Sequence, residues 1–167
     1  MIGRVASVLL LLLGVSGIFS PVSAQQWTRY QPQGAGYRIE FPGSPQRQTQ
    51  GPSIATQYVA FVEIDQRLFM TMHQVSAFGT VLPEAGMDAA RQAVLRGFQG
   101  TLRDEERLHV SGAPARRWII DADNAVVLML AVLKRDRFYQ VMYSGPPGTE
   151  TSADAGRFVA SFALTDP

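Results

Sequence analysis

His73 and His109 are the only imidazoles in the chain, so they are the first groups to weigh as a general base or metal ligands. Brought together across a sheet with Asp121 or Asp123, they would form a site of nitrogen and oxygen ligands. Neither lies in an HExxH or related spacing. The competing reading places both on solvated strand faces. The carboxylates Asp65, Asp121, Asp123 and Asp104-Glu105-Glu106 invite a second reading, as an acid-base pair or a calcium site. Asp123-Asn124, however, has the composition of a turn. The acidic run sits between Arg103 and Arg107, as on a solvated strand edge, and no EF-hand-like ligand spacing is present.

Nucleophilic catalysis finds no support in the local patterns. There is no cysteine, no GxSxG elbow, and "GPPGT" at 145–149 lacks the Lys-Ser/Thr ending of a phosphate-cradling loop. Aromatic residues offer a different chemistry. Trp27, Tyr30, Tyr37, Trp118, Tyr139 and Tyr143 each join apolar area to a polar atom, which suits a core edge or a partner surface. Trp118, beside Arg116 and Arg117, reads as an exposed anchor for a partner, with Tyr139 as a further contact, because Trp and Arg dominate interface energetics. The candidate partner-binding set is therefore Arg116, Arg117, Trp118 and Tyr139, and the candidate metal ligands are His73, His109 and Asp121.

The elements that must position these residues begin after a targeting segment. Arg4, the apolar run Leu9–Leu13, the helix breaker Pro21 and the small residues Val22-Ser23-Ala24 describe a secretory signal over residues 1–24, with cleavage expected after Ala24. Val5–Phe19 is shorter than the ~20 apolar residues of a spanning helix. No stable membrane insertion is expected once it is removed. Losing Arg4 from the 15 basic residues leaves them in balance with the 14 acidic ones. No basic stripe remains to neutralise a phosphate backbone, so nucleic acid is excluded as a partner. Residues 25–167 form one domain, long enough to bury roughly 68–70% of its unfolded surface without disulfides.

Within that domain, Tyr37, Ile39 and Phe41 alternate with Arg38 and Glu40 as in a half-buried strand, and Pro42-Gly43-Ser44-Pro45 ends it. Residues 54–64 and 67–75 read as a hairpin about Asp65-Gln66, and 78–83 as a loop. Met87, Ala90, Val94, Leu95 and Phe98 recur at helical spacing over 84–98, with Gly97 or Gly100 as the stop. Strands then follow over 103–110, 115–121, 125–133 and 137–144. The segment "AVVLMLAVL", 125–133, is apolar at every position, which predicts a strand covered on both faces. Thr151 with Asp154 resembles a capping box opening a last helix through Ala155, Phe158, Val159 and Phe162. The sum is an α+β domain, a mostly antiparallel sheet of six or seven strands with helices on opposite faces.

This order resembles the PsbP-like fold, an α-β-α sandwich that also includes exported bacterial proteins of unknown role. The similarity rests on Tyr37-x-Ile-x-Phe-Pro-Gly-x-Pro45, the Gly112-x-Pro114 step into a strand, "RFYQVMY" at 137–143 and the closing Phe158-Val-Ala-Ser-Phe162. It implies no catalytic residue and no cofactor. It implies an exported, periplasmic or secreted, non-enzymatic module, monomeric or weakly dimeric, that binds an envelope protein or stabilises an assembly. The alternative is a periplasmic binding protein for a small apolar ligand or a metal ion, held between the sheet and the Met87–Phe98 helix.

Overall fold

A computed structural model describes residues 26–52, 56–75 and 83–165. The signal segment, the start of the 54–64 run and most of the 78–83 loop lie outside the described residues. Ten strands and two α-helices follow in chain order: β1 (Thr28–Tyr30), β2 (Tyr37–Phe41), β3 (Gln46–Gln50), β4 (Gln57–Ile64), β5 (Arg67–Val75), α1 (Pro83–Phe98), β6 (Thr101–Val110), β7 (Ala113–Ala122), β8 (Ala125–Lys134), β9 (Arg137–Gly145), α2 (Ala153–Ala160) and β10 (Ala163–Leu164). Seven strands form one sheet in the order β3-β4-β5-β9-β8-β7-β6, with every neighbouring pair antiparallel.

The apolar run at 125–133 has the cause the sequence implies. Leu128, Leu130 and Val132 of β8 enter one core with Phe158 of α2. Val127, Met129, Ala131 and Leu133 enter a second core with Met87 and Val94 of α1. The helices thus cover opposite faces, and β8 has no wet side.

Tyr37, Ile39 and Phe41 are buried as their alternation requires, but β2 lies outside the large sheet. It forms a smaller sheet, β1-β2-β10, packed with α2 over the main one. Tyr37 joins the two layers through a 3.0 Å hydrogen bond between its hydroxyl and that of Thr71 on β5. The turns close the hairpins tightly. Asp65 and Gln66 both take positive φ, 49° and 61°, as a two-residue turn matched to strand twist demands.

Several boundaries differ from the sequence reading. Pro83 opens α1 instead of ending a loop, which suits a residue without an N–H at the first helical position. The helix ends after Phe98 in a Schellman arrangement, Gly100 N–H to Leu95 O at 3.0 Å and Gln99 N–H to Arg96 O at 3.3 Å. Gln99 takes the left-handed conformation, φ 50°. Gly100 is required for another reason: a Cβ there would stand 2.7 Å from the Asp121 carbonyl oxygen, so only glycine lets the helix end approach β7. The cap of α2 is Ser152, not Thr151, its hydroxyl accepting from Ala155 N–H at 3.3 Å.

Strand β3, "QRQTQ", is exposed throughout and shows no apolar period. It is held by backbone pairing to β4, Gln46 opposite Phe61 through Gln50 opposite Gln57. At the other edge β6 carries charges and an irregularity between Leu102 and Asp104. The charges and the irregularity of β6 make that edge resist pairing with another chain.

Candidate functional site

The structure overturns the reading of Trp118 as an exposed anchor. Trp118 is 0% exposed and Arg116 2%. The cause is the alternation of β7 beneath α1: Trp118 enters the core that α1 covers, while Arg117 remains exposed, paired with Glu106 at 2.6 Å. Arg116 is a clamp. Its guanidinium meets Asp88 at 2.7 Å and Glu84, both on α1, and Glu105 of β6 at 2.9 Å. Glu105 also accepts from Trp118 Nε1 at 3.3 Å and pairs with Arg91. Burial pushes the Glu105 carboxyl up, but the hydrogen bonds from Trp118 and Arg91 outweigh it and leave the carboxyl below its usual value. The hydrogen bond from Arg116 likewise holds Asp88 low. Tyr139 is buried too, donating to Ala35 O at 3.0 Å.

The metal candidates do not converge. His73 on β5 and His109 on β6 are separated by β9, β8 and β7, and Asp121 is taken by Arg103, whose Nε lies 2.9 Å from it. Among the described residues no group of three or more His, Cys, Asp or Glu is placed to hold a metal. His109 is exposed. His73 is half-buried instead. Its ring stacks on Tyr58 at 5.0 Å and 16° and meets Tyr37 edge-on at 5.4 Å.

His73 belongs to the larger of two concavities on opposite faces of the sheet. On the α2 face, a cross-strand row of Thr49, Tyr58, His73 and Tyr139 runs over β3, β4, β5 and β9. Thr49, Tyr58 and His73 line a cleft of about 800 Å³, closed on one side by Tyr30 and the turn at Gly34. Its charged lining residues are Arg47 and Arg137, and no carboxylate lines it among the described residues.

Burial lowers the His73 pKa from 6.5 to about 4, with repulsion from Arg137 adding to it, and its Nδ1 is buried without a hydrogen-bond partner. A folded-state pKa below the unfolded one gives stability that is present in full above pH ~6.5 and is lost as pH falls towards 4. With allowance for water at the ring, roughly 1–2 kcal/mol should disappear in that window. Urea denaturation between pH 7 and 4.5 should show this loss, and His73→Phe should flatten it. An unchanged slope in His73→Phe would assign the loss to other groups.

The second concavity lies where the sequence placed a ligand pocket, between the sheet and α1. The helix packs chiefly on β7 and β8, so no described residue covers the half of this face made by β4, β5 and β9. A groove of about 460 Å³ results. Its floor includes Val59, Met70, Met72 and Phe138, and its helical wall includes Ala89, Ala93 and Gly97, small side chains that keep it open. Gln48, Gln50, Gln57, Gln74 and Gln140 complete the lining, which holds no charged residue among the described residues. Three of these form a chain of amides, Gln50 Nε2 to Gln57 Oε1 and Gln57 Nε2 to Gln74 Oε1, each 3.1 Å. One signal for this groove was present in the sequence. Gln48 and Gln50, and Met70 and Met72, recur at period two and so share one face of the sheet.

Comparison with solved structures places this architecture. The fold is similar to the solution structure of the cyanobacterial PsbP protein, CyanoP, from Synechocystis, with a TM-score of 0.61 and 14% identity over 90% of this chain and 99% of that one. A Pseudomonas aeruginosa protein of unknown function, described as a putative regulator, matches with a TM-score of 0.45 and 14% identity over 78% of this chain and 90% of its own. No protein-family model and no curated protein matches the chain. The chain has the PsbP-like α+β fold, with a seven-stranded antiparallel sheet, a small second sheet and two helices. At this identity the likeness concerns the fold, which leaves function to the site.

Proposed function

We propose that the protein is an exported, non-catalytic binding protein of the bacterial envelope whose α1 groove takes a small, neutral apolar ligand. The observation that carries this reading is that the described lining of the groove is uncharged in a protein with 17% charged residues. Methionines adapt to varied apolar shapes, and glutamine amides offer donors and acceptors without charge. An ionised ligand would leave water for a surface with no countercharge, at a cost the groove does not repay. The burial of Trp118 also removes the anchor on which docking of an envelope protein would have rested.

Titration with the neutral fluorescent probe phenylnaphthylamine tests it. Binding should saturate, and Ala93→Trp, which fills the groove from an exposed helical position, should weaken it about tenfold by removing roughly 1.4 kcal/mol of apolar contact. Equal affinity in wild type and Ala93→Trp would refute this use of the groove.

A further inference from the structure

Among the described strands β3 and β6 end the main sheet, and the two edges are not alike. Where β6 is charged and irregular, β3 is exposed at all 5 of its residues, pairs with β4 from Gln46 to Gln50 without a break in register, and carries a single charge, Arg47. An edge of this kind presents backbone donors and acceptors to a further strand. Its length is set at both ends, by Pro45 before it and by Gly51, at φ 89°, and Pro52 after it. Proline has no N–H to give a ladder, so the edge fits a short extended segment that ends where β3 ends.

We infer that β3 pairs antiparallel with β3 of a second copy, about a two-fold axis at Gln48, to form a symmetric dimer. The residues of the strand select this register. Centred on Gln48, the whole strand is paired: Gln46 faces the partner's Gln50, Arg47 the partner's Thr49, and Gln48 the partner's Gln48. Centred on Arg47, only Gln46–Gln48 would pair, and Arg47 would stand directly against the partner's Arg47, a like-charge opposition that destabilises a strand pair. Centred on Thr49, only Gln48–Gln50 would pair.

The second copy also continues a row of side chains. Gln50, Gln57 and Gln74 lie opposite one another across β3, β4 and β5 and are joined by amide hydrogen bonds of 3.1 Å. In the dimer the partner's Gln46 stands next in that row, beside Gln50. Each copy thereby adds an amide to the rim of the other's α1 groove, which Gln50 lines. The assembly is closed, because the same patch serves both copies and the edge left at each end of the joined sheet is the charged β6.

Sedimentation velocity between ~10 μM and ~1 mM, where a small interface associates, should show the weight-average mass rising towards twice the monomer value. Two charge changes at exposed positions of β3 should then act in opposite directions. Thr49→Glu sets a carboxylate against the partner's Arg47 at both symmetric places and should tighten the dimer about fivefold. Gln48→Glu sets two carboxylates against each other on the axis and should weaken it about fivefold. The chain has no cysteine, so Gln48→Cys reports the axis directly: mild oxidation should link it into a covalent dimer faster than Gln50→Cys, which faces the partner's Gln46. A mass fixed at the monomer value would overturn the dimer and leave this edge to an extended segment of another protein. Equal shifts for Thr49→Glu and Gln48→Glu, or equal crosslinking of the two cysteine variants, would overturn the register and with it the assignment.

Discussion

Replacing Trp118 with alanine is expected to destabilise the protein by about 3–5 kcal/mol, the usual cost of emptying a large buried aromatic site. The side chain is 0% exposed and packs in the core beneath α1 with Ile120, Met87 and Val94. Its Nε1 also donates to Glu105 at 3.3 Å, so truncation removes a donor from the carboxylate that helps fix the helix. A domain of this size holds about 5–15 kcal/mol in total, which makes the loss a large fraction of the whole. Urea denaturation followed by circular dichroism measures it. Arg117→Ala is the matched control. That side chain is exposed and its pairing with Glu106 lies at the surface, so its removal should cost less than about 1 kcal/mol. A Trp118→Ala midpoint equal to that of Arg117→Ala would mean that α1 does not rest on Trp118. Loss of any partner or ligand in Trp118→Ala would accordingly report unfolding and not a binding contact.

Much of the architecture was legible because local pattern and tertiary burial agree there. Tyr37, Ile39 and Phe41 alternate and are buried. The run at 125–133 lacks alternation because β8 has two dry faces. Strand β3 was illegible for the opposite reason. "QRQTQ" buries nothing, so its strand state comes from pairing with β4, a partner that no local pattern announces. The separate small sheet was also hidden. β2 reads as any half-buried strand, and only its pairing with β1 and β10 shows that it stacks over the main sheet.

The sites were less legible, since each is made by elements distant in sequence. "ARRW" has the composition of an interface, yet the side of β7 that faces inward depends on where α1 lies. Arg116 finds Glu84 and Asp88 on that helix, 32 and 28 positions earlier. Arg47, Tyr58, His73 and Arg137 come together through the pairing of β3, β4, β5 and β9. The half of the α1 face that no described residue covers is equally a tertiary property. The period-two methionines and glutamines name the face but not the fact that the helix leaves it open.

Arg116 carries the second large effect. Its side chain is 3% exposed and faces Glu84, Asp88 and Glu105, so it is a buried charge with more than one partner. Truncating one member of a buried pair costs about 3–5 kcal/mol when the charge left behind stays buried. Here Glu84 and Asp88 are exposed and can rehydrate, and Glu105 keeps Arg91. Arg116→Ala should therefore cost about 2–3 kcal/mol, part of it lost packing of the side-chain stem. Arg116→Met restores that packing and should cost about 1 kcal/mol less. Acid supplies a separate readout. Asp88 and Glu105 titrate below their ordinary values of 3.8 and 4.5 in the folded protein. The stability linked to them is present above those values and is lost as pH falls below them. Measured in a His73→Phe background, which removes the loss between pH ~6.5 and 4, the parent should weaken steeply below pH ~4.5, and adding Arg116→Met should make that limb shallower. An Arg116→Met protein as stable as the parent at pH 7, with an unchanged acid limb, would show that apolar contacts alone seat α1 and that the ion cluster contributes nothing net.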